Sequence, residues 1–178
     1  MNHYKIIFTG PVGAGKTTAI SSISDIPVVK TDESATDMTK QRKDATTVAM
    51  DYGAITLGGG ERIHLYGTPG QERFNFMWDI LTKGGLGLIL LLDNTRSDPF
   101  QDMRFFLTSF ESFIAGRKLA IGVTQMDIQS TPTLDEYHKN IKSYGLNPPI
   151  FEVDARKQQD VSLLLQAMLY SLDPWLGE

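Results

Sequence analysis

The chain contains no cysteine among its 178 residues. That excludes disulfide bonds, a thiolate-held zinc site, and prenyl or palmitoyl anchors. Long apolar runs are missing too. The longest, Leu86 to Leu92, is far too short to span a bilayer. Basic charge is in the minority: 17 Lys and Arg against 21 Asp and Glu give a net charge of -4, with no basic stripe. This balance argues against nucleic acid as a main partner and offers nothing to an anionic lipid surface. His3, His64 and His138 show no metal-ligand spacing and no paired nucleophile, so they read as structural or surface residues. The opening Met1-Asn2-His3-Tyr4 matches no myristoylation, signal or transit pattern. The expectation is a cytoplasmic protein without a direct membrane anchor. A composition of 41% hydrophobic and 21% charged residues is ordinary for a globular chain, and the length suits one domain over residues 1–178.

What is present is concentrated in one octapeptide. Residues 10–17 read Gly-Pro-Val-Gly-Ala-Gly-Lys-Thr, a GxxxxGKT loop with every fixed position filled. A β-branched and aromatic run, Tyr4 to Thr9, precedes it, and a helical stretch from Lys16 to Ile23 follows. In that context the glycines let backbone N–H groups turn inward around phosphate. Lys16 brings a point charge, Thr17 offers a hydroxyl to Mg²⁺, and the helix N-terminus adds its dipole.

Elsewhere strand-length apolar runs alternate with helical patterns. Candidate strands are Tyr4–Thr9, Val48–Leu57, Arg62–Gly67, Leu86–Leu92, Leu119–Thr124 and Pro149–Val153. Leu86–Leu92 does not alternate, as a strand buried on both faces should not. Gly58-Gly59-Gly60-Glu61 reads as a hairpin turn. Met103, Phe106, Leu107, Phe110, Phe113 and Ile114 step at helical spacing, as do Val161, Leu164, Leu165, Met168 and Leu172. A shorter helix is expected from Leu134 to Tyr144, stopping at Gly145. The polar segment Lys30–Ala45 has no apolar period and reads as a mobile loop. Alternation of strand and helix implies an α/β fold with a mainly parallel sheet, in which ligands bind at the carboxyl ends of the strands.

Four further segments fall at such strand ends: Thr46-Thr47-Val48-Ala49-Met50-Asp51, Gly67-Thr68-Pro69-Gly70-Gln71-Glu72-Arg73-Phe74, Thr124-Gln125-Met126-Asp127 and Asp154-Ala155-Arg156. Together with the phosphate loop they resemble the Ras-like small GTPases over nearly the whole chain. The likeness points to the bacterial MglA-type and conservon-type proteins, which commonly work with roadblock-domain partners. The resemblance implies a P-loop NTPase fold, a Ras-like G domain with a six-stranded, mainly parallel sheet flanked by helices. It implies GTP and GDP as ligands, Mg²⁺ as cofactor, and a slow GTPase acting as a molecular switch in bacterial signalling. As partners it implies a roadblock-type regulator or activating protein, and an effector reading the switch loops.

Residue roles follow from the same likeness. Gly10, Gly13, Ala14, Gly15, Lys16, Thr17 and Thr18 would hold the phosphates. Thr17 and Thr47 would ligate Mg²⁺, with Thr46 the neighbouring candidate for the latter. Gly70 would donate its N–H to the γ-phosphate, and Gln71 would orient the attacking water. Lys16, Thr47 and Gln71 thus form the catalytic set. Thr124, Gln125, Asp127, Asp154, Ala155 and Arg156 would surround the base, Asp127 accepting from guanine N1–H and the exocyclic amine, and Ala155 N–H donating to O6.

The chain departs from the family pattern at three places. Gly67 stands where the family has an aspartate that holds a Mg²⁺-bound water, which predicts weaker Mg²⁺ binding unless Asp51, Asp93, Asp32 or Glu33 compensates. Val12 crowds the space beside a catalytic glutamine, so slow hydrolysis is expected. Gln125 replaces the lysine that packs over the base. Arg42 and Arg73 read either as in-cis arginine fingers or as solvated surface arginines. Trp78, with Phe74, Phe76 and Met77, reads either as packing under a helix or as a partner surface. Trp175 is expected to pack against the body. The alternative function is a nucleotide-binding interaction protein with negligible hydrolysis. A small-molecule P-loop kinase would need an arginine-bearing lid, and no lid-like insertion is present.

Overall fold

The non-alternating run around Leu90 becomes a central strand of a sheet covered on both sides. The computed structural model describes residues 2–30, 50–69 and 75–170. In chain order the elements are β1 (His3–Thr9), α1 (Lys16–Ile23), β2 (Val29–Lys30), β3 (Asp51–Thr56), β4 (Arg62–Gly67), α2 (Asn75–Thr82) and β5 (Gly87–Asp93). They continue with α3 (Pro99–Ser109), α4 (Glu111–Ile114), β6 (Lys118–Thr124), α5 (Leu134–Lys142), β7 (Ile150–Glu152) and α6 (Gln158–Tyr170).

The sheet order is β2-β3-β4-β1-β5-β6-β7. β4, β1, β5, β6 and β7 run parallel, while β3 pairs antiparallel with both β2 and β4. The expected α/β class and mainly parallel sheet are present, but there are seven strands among the described residues instead of six. The additional strand, β2, is two exposed residues on the sheet edge, too short to leave an apolar signature. It also takes Lys30 out of the segment read as a mobile loop; the rest of that segment lies outside the described residues.

Two cores flank the sheet, and β1 and β5 feed both because successive side chains point to opposite faces. Ile6, Phe8, Ile89 and Leu91 pack with Ile20 and Ile23 of α1 and Leu164 and Met168 of α6. Ile7, Leu88, Leu90 and Leu92 pack with Met103 and Phe106 of α3 and Tyr137 and Ile141 of α5. Each large side chain so buried contributes about 1.5–3 kcal/mol. Trp78 resolves toward packing: it is 2% exposed and stacks on Phe106 and Phe110. Phe74 and Trp175 lie outside the described residues.

Local chemistry sets the boundaries. The β3–β4 hairpin closes through Leu57 N–H to Glu61 O at 2.8 Å and Gly60 N–H to Leu57 O at 2.9 Å. Asp98 caps α3 by accepting from Gln101 N–H at 3.0 Å, with Pro99 in the first turn. Thr133 and Glu136 form a capping box on α5. That helix ends at Lys142, two residues short of the expected Tyr144. The stripe read as one helix through Ile114 is broken at Phe110, although all six of its apolar residues are buried.

Candidate functional site

The phosphate loop leaves β1 at the point where the chain crosses from one half of the sheet to the other, a position that opens a crevice at the strand ends. Gly10 is there by necessity. Its φ is +146°, and a Cβ would lie 2.1 Å from the Leu91 carbonyl oxygen, deep inside contact distance. Gly15 caps α1 in the left-handed region with φ +96°, and a Cβ there would press to 3.0 Å on the Ala155 methyl. α1 carries no acidic residue in its first turn, so its positive end is left for an anion.

Lys16 is 9% exposed. Its Nζ donates to the carbonyls of Gly10 at 2.7 Å and Pro11 at 2.8 Å, folding back across the loop. Burial lowers its pKa to about 8, partly opposed by Asp51 and assisted by Arg96. Thr17 Oγ1 donates to Asp51 Oδ2 on β3. Val12 is 59% exposed at the loop surface.

A cavity of about 710 Å³ opens beside this loop. It brings Gly13, Ala14, Gly15 and Thr18 together with Thr124, Gln125 and Asp127 after β6, and Asp154, Ala155 and Arg156 after β7. Three segments far apart in sequence therefore share one wall. Hydrogen bonds hold them there. Thr124 Oγ1 bonds the Ala14 carbonyl at 3.0 Å and the Leu92 carbonyl at 3.2 Å. Gln125, with φ +61°, reaches the Gly13 carbonyl through Nε2 at 3.3 Å. Beneath the Gln125–Thr133 loop, Asn94 donates to the carbonyls of Gln129 and Pro132, and Tyr137 O–H donates to Asn94 Oδ1 at 2.7 Å. Burial raises the Tyr137 pKa, keeping that proton in place.

The turn after β7 is closed in the same manner. Asp154 N–H donates to Asp160 Oδ2, Arg156 N–H to Asp154 Oδ1, and Lys157 N–H to the Asp154 carbonyl. Ala155 N–H has no partner among the described residues and belongs to a residue lining the cavity. The Arg156 guanidinium bonds Asp154 twice at 2.9 Å and holds that carboxyl at a pKa of about 2.

Gly67 closes β4, and Thr68 binds back to β1 through its N–H to Phe8 O at 2.9 Å and its hydroxyl to Thr9 Oγ1 at 2.8 Å. Thr46, Thr47, Gly70, Gln71, Arg42, Arg73, Asp32 and Glu33 lie outside the described residues. His3 and His64 bond to each other at 2.9 Å, with Tyr52 on His64 at 2.7 Å, and His3 opens β1 at the end opposite the phosphate loop. Two supporting residues had no signal in the sequence: Tyr137 and Asp160 act through contacts that only the folded topology creates.

Fold and site together define a P-loop nucleotide-binding protein. Residues 26–171 match the family described as "Conserved hypothetical ATP binding protein", and the chain belongs to it. It is similar to the uncharacterized protein MJ1339 of Methanocaldococcus jannaschii, 26% identical over 136 residues and covering 75% of this chain and 77% of that protein. It is also similar to the Ras-related protein Rab-27A of Sus scrofa, 26% identical over 184 residues and covering 93% of this chain and 76% of that one. The bacterial selenocysteine-specific elongation factor EF-Sec shares the fold, with a TM-score of 0.67 at 21% identity over 98% of this chain. The chain spans 30% of the length of that elongation factor. Together with the family match, these likenesses support a P-loop nucleotide-binding protein.

Proposed function

We propose that this protein is a guanine-nucleotide switch that binds GTP, hydrolyses it slowly to GDP, and presents a different surface in each state. The observation that carries this reading is the shared wall of the cavity. Asp127 and the unpartnered Ala155 N–H line the same space as the phosphate loop. A carboxylate beside a free backbone donor complements the N1–H, exocyclic amine and O6 of guanine. Adenine offers a donor where guanine has O6, and lacks the N1 proton. The family description speaks of ATP, and the base edge is where the two readings separate.

The roles of this chain's residues follow. Lys16, released from the Gly10 and Pro11 carbonyls, turns its charge to the β- and γ-phosphates, and the N–H groups opening α1 bind the phosphate oxygens. Thr17, and Thr47 from the preceding segment, would hold Mg²⁺, which supplies neutralisation of the charge developing between the β- and γ-phosphates. Gln71 orients water, and Gly70 N–H fixes the γ-phosphate. Loss of that phosphate frees Thr47 and Gly70, and a partner reading those segments senses the change. The resemblance to MglA-type proteins supports a roadblock-type regulator and a separate effector as the readers. No described helix is long and apolar enough to cross a membrane.

Single-turnover hydrolysis of GTP loaded onto the protein tests the reading. Slow conversion to GDP that Gln71→Leu abolishes is the expected result. Stable GTP over days, unaffected by any activating fraction, would leave only the nucleotide-binding interaction protein.

A further inference from the structure

A phosphate-loop hydroxyl does not hold Mg²⁺ alone: in P-loop NTPases an acid from a strand end completes the site. In this chain the end of β4, next to the phosphate-loop strand, is Gly67 and carries no side chain. The space in front of it is nevertheless filled. A Cβ at Gly67 would lie 3.2 Å from Asp51 Cβ, 3.3 Å from Asp51 Oδ2 and 3.1 Å from Ile20 Cδ1. Asp51 is the cross-strand partner of Gly67 in the antiparallel β3–β4 ladder. Its carboxylate reaches over that glycine and accepts the Thr17 hydroxyl proton.

We propose that Asp51, entering from β3, is the metal-site carboxylate of this protein and stands in for the acid that position 67 lacks. The inference rests on the nucleotide-switch reading above. A hydroxyl has one proton and two lone pairs. With its proton given to Asp51, Thr17 Oγ1 turns its lone pairs away from the carboxylate, toward where a cation accompanies phosphate. Asp51 also places negative charge beside Lys16 and Thr17, favouring the charged lysine and the cation together. Asp93 does not compete for this role. Its Oδ1 accepts from both the N–H and the hydroxyl of Thr95, closing its own turn. A side chain at position 67 would crowd Asp51 and Ile20, which would have to give by a few tenths of an ångström.

The test uses the full chain loaded with a fluorescent GDP analogue, whose release is followed as Mg²⁺ is titrated and then chelated. Asp51→Asn is expected to raise the half-saturating Mg²⁺ concentration by about tenfold or more. Binding of the analogue in the absence of Mg²⁺ should change far less than binding in its presence. The transposed variant Asp51→Gly with Gly67→Asp returns a carboxylate to the same space from the neighbouring strand, and should recover much of the lost Mg²⁺ dependence. This second variant also separates charge placement from folding. Asp51→Asn with an unchanged Mg²⁺ dependence overturns the proposal while leaving the switch reading intact. An equal loss of binding with and without Mg²⁺, not recovered by transposition, overturns it as well. Wild-type protein that fails to bind the analogue at all overturns both.

Discussion

The two halves of the sheet meet at β1 and border the candidate site in different ways. On the β5-β6-β7 side every strand is parallel, and each segment at the site is tied to its neighbour more than once. Thr124 bonds two carbonyls, Gln125 a third, and the Asp154–Lys157 turn is closed by two internal hydrogen bonds and a third from Asp154 N–H to Asp160 on α6. On the β4-β3-β2 side, the described contact between β3 and the phosphate loop is one side-chain pair, Thr17 with Asp51. Among the described residues, the wall of the cavity after β6 and β7 is therefore tied redundantly, whereas β3 meets the phosphate loop through that one pair. The proposed switch would use that asymmetry: the half proposed to read the base would stay fixed, while the half proposed to sense the phosphates would be completed by the ligand.

The comparison can be broken at its shared centre first. Lys16→Ala removes the buried charge of the phosphate loop, and nucleotide affinity should fall by about a hundredfold or more, equivalent to ~3 kcal/mol. Equilibrium titration with GDP checks this, and a loss under threefold would show the lysine idle. Next is the base end. Asp127→Asn should turn preference from guanosine toward xanthosine nucleotides by roughly 2 kcal/mol, since an amide presents a donor where xanthine has an oxygen. Competition between the two nucleotides measures it directly, and an unmoved preference removes Asp127 from the base edge.

The pH dependence is smaller and has a definite sign. In the nucleotide-free protein Lys16 has a pKa of about 8, below its ordinary 10.5. Phosphate favours the charged form, so affinity should drop about fivefold between pH 8 and pH 9 beyond any change in the nucleotide itself, and binding there should take up protons. Calorimetry in buffers of different ionisation enthalpy reads that uptake. For stability the unfolded chain holds more protons than the folded one between pH 8 and 10.5. This group therefore adds stability to the empty protein as pH rises through that window, and its burial is unfavourable below it. The smallest effect sharpens the contrast between halves. Thr124→Val should cost only about 1 kcal/mol of folding stability, because Gln125 and the Asn94 network still hold the loop. Thermal melts compared with those of Asp51→Asn, each with and without GDP and Mg²⁺, would show which half depends on its ligand.

Much of the parallel half was legible in the sequence. β1 and α1 lie where the strand–loop–helix pattern places them, α1 at its expected limits, and the β5 run lacks alternation because it is buried on both faces. The antiparallel half was less so. β2 is two residues long, and the Thr17–Asp51 contact spans 34 positions and exists only because the hairpin register sets Asp51 opposite Gly67. Sequence reading could name Asp51 among four candidate acids but could not choose between them, because pairing register is a property of the folded sheet. Asn94 shows the same limit. Its partners come from a loop more than thirty residues away, so its role in holding that loop shows only in the fold. Trp78 was open between core and partner surface until the packing of α3 under it was seen.

The most direct measurement is equilibrium binding of GTP, GDP and ATP to the nucleotide-free protein at fixed Mg²⁺. Guanine nucleotides should win by at least about a hundredfold, or roughly 2.7 kcal/mol. ATP binding as tightly or more tightly would contradict Asp127 and Ala155 as readers of guanine and return the site to an adenine nucleotide.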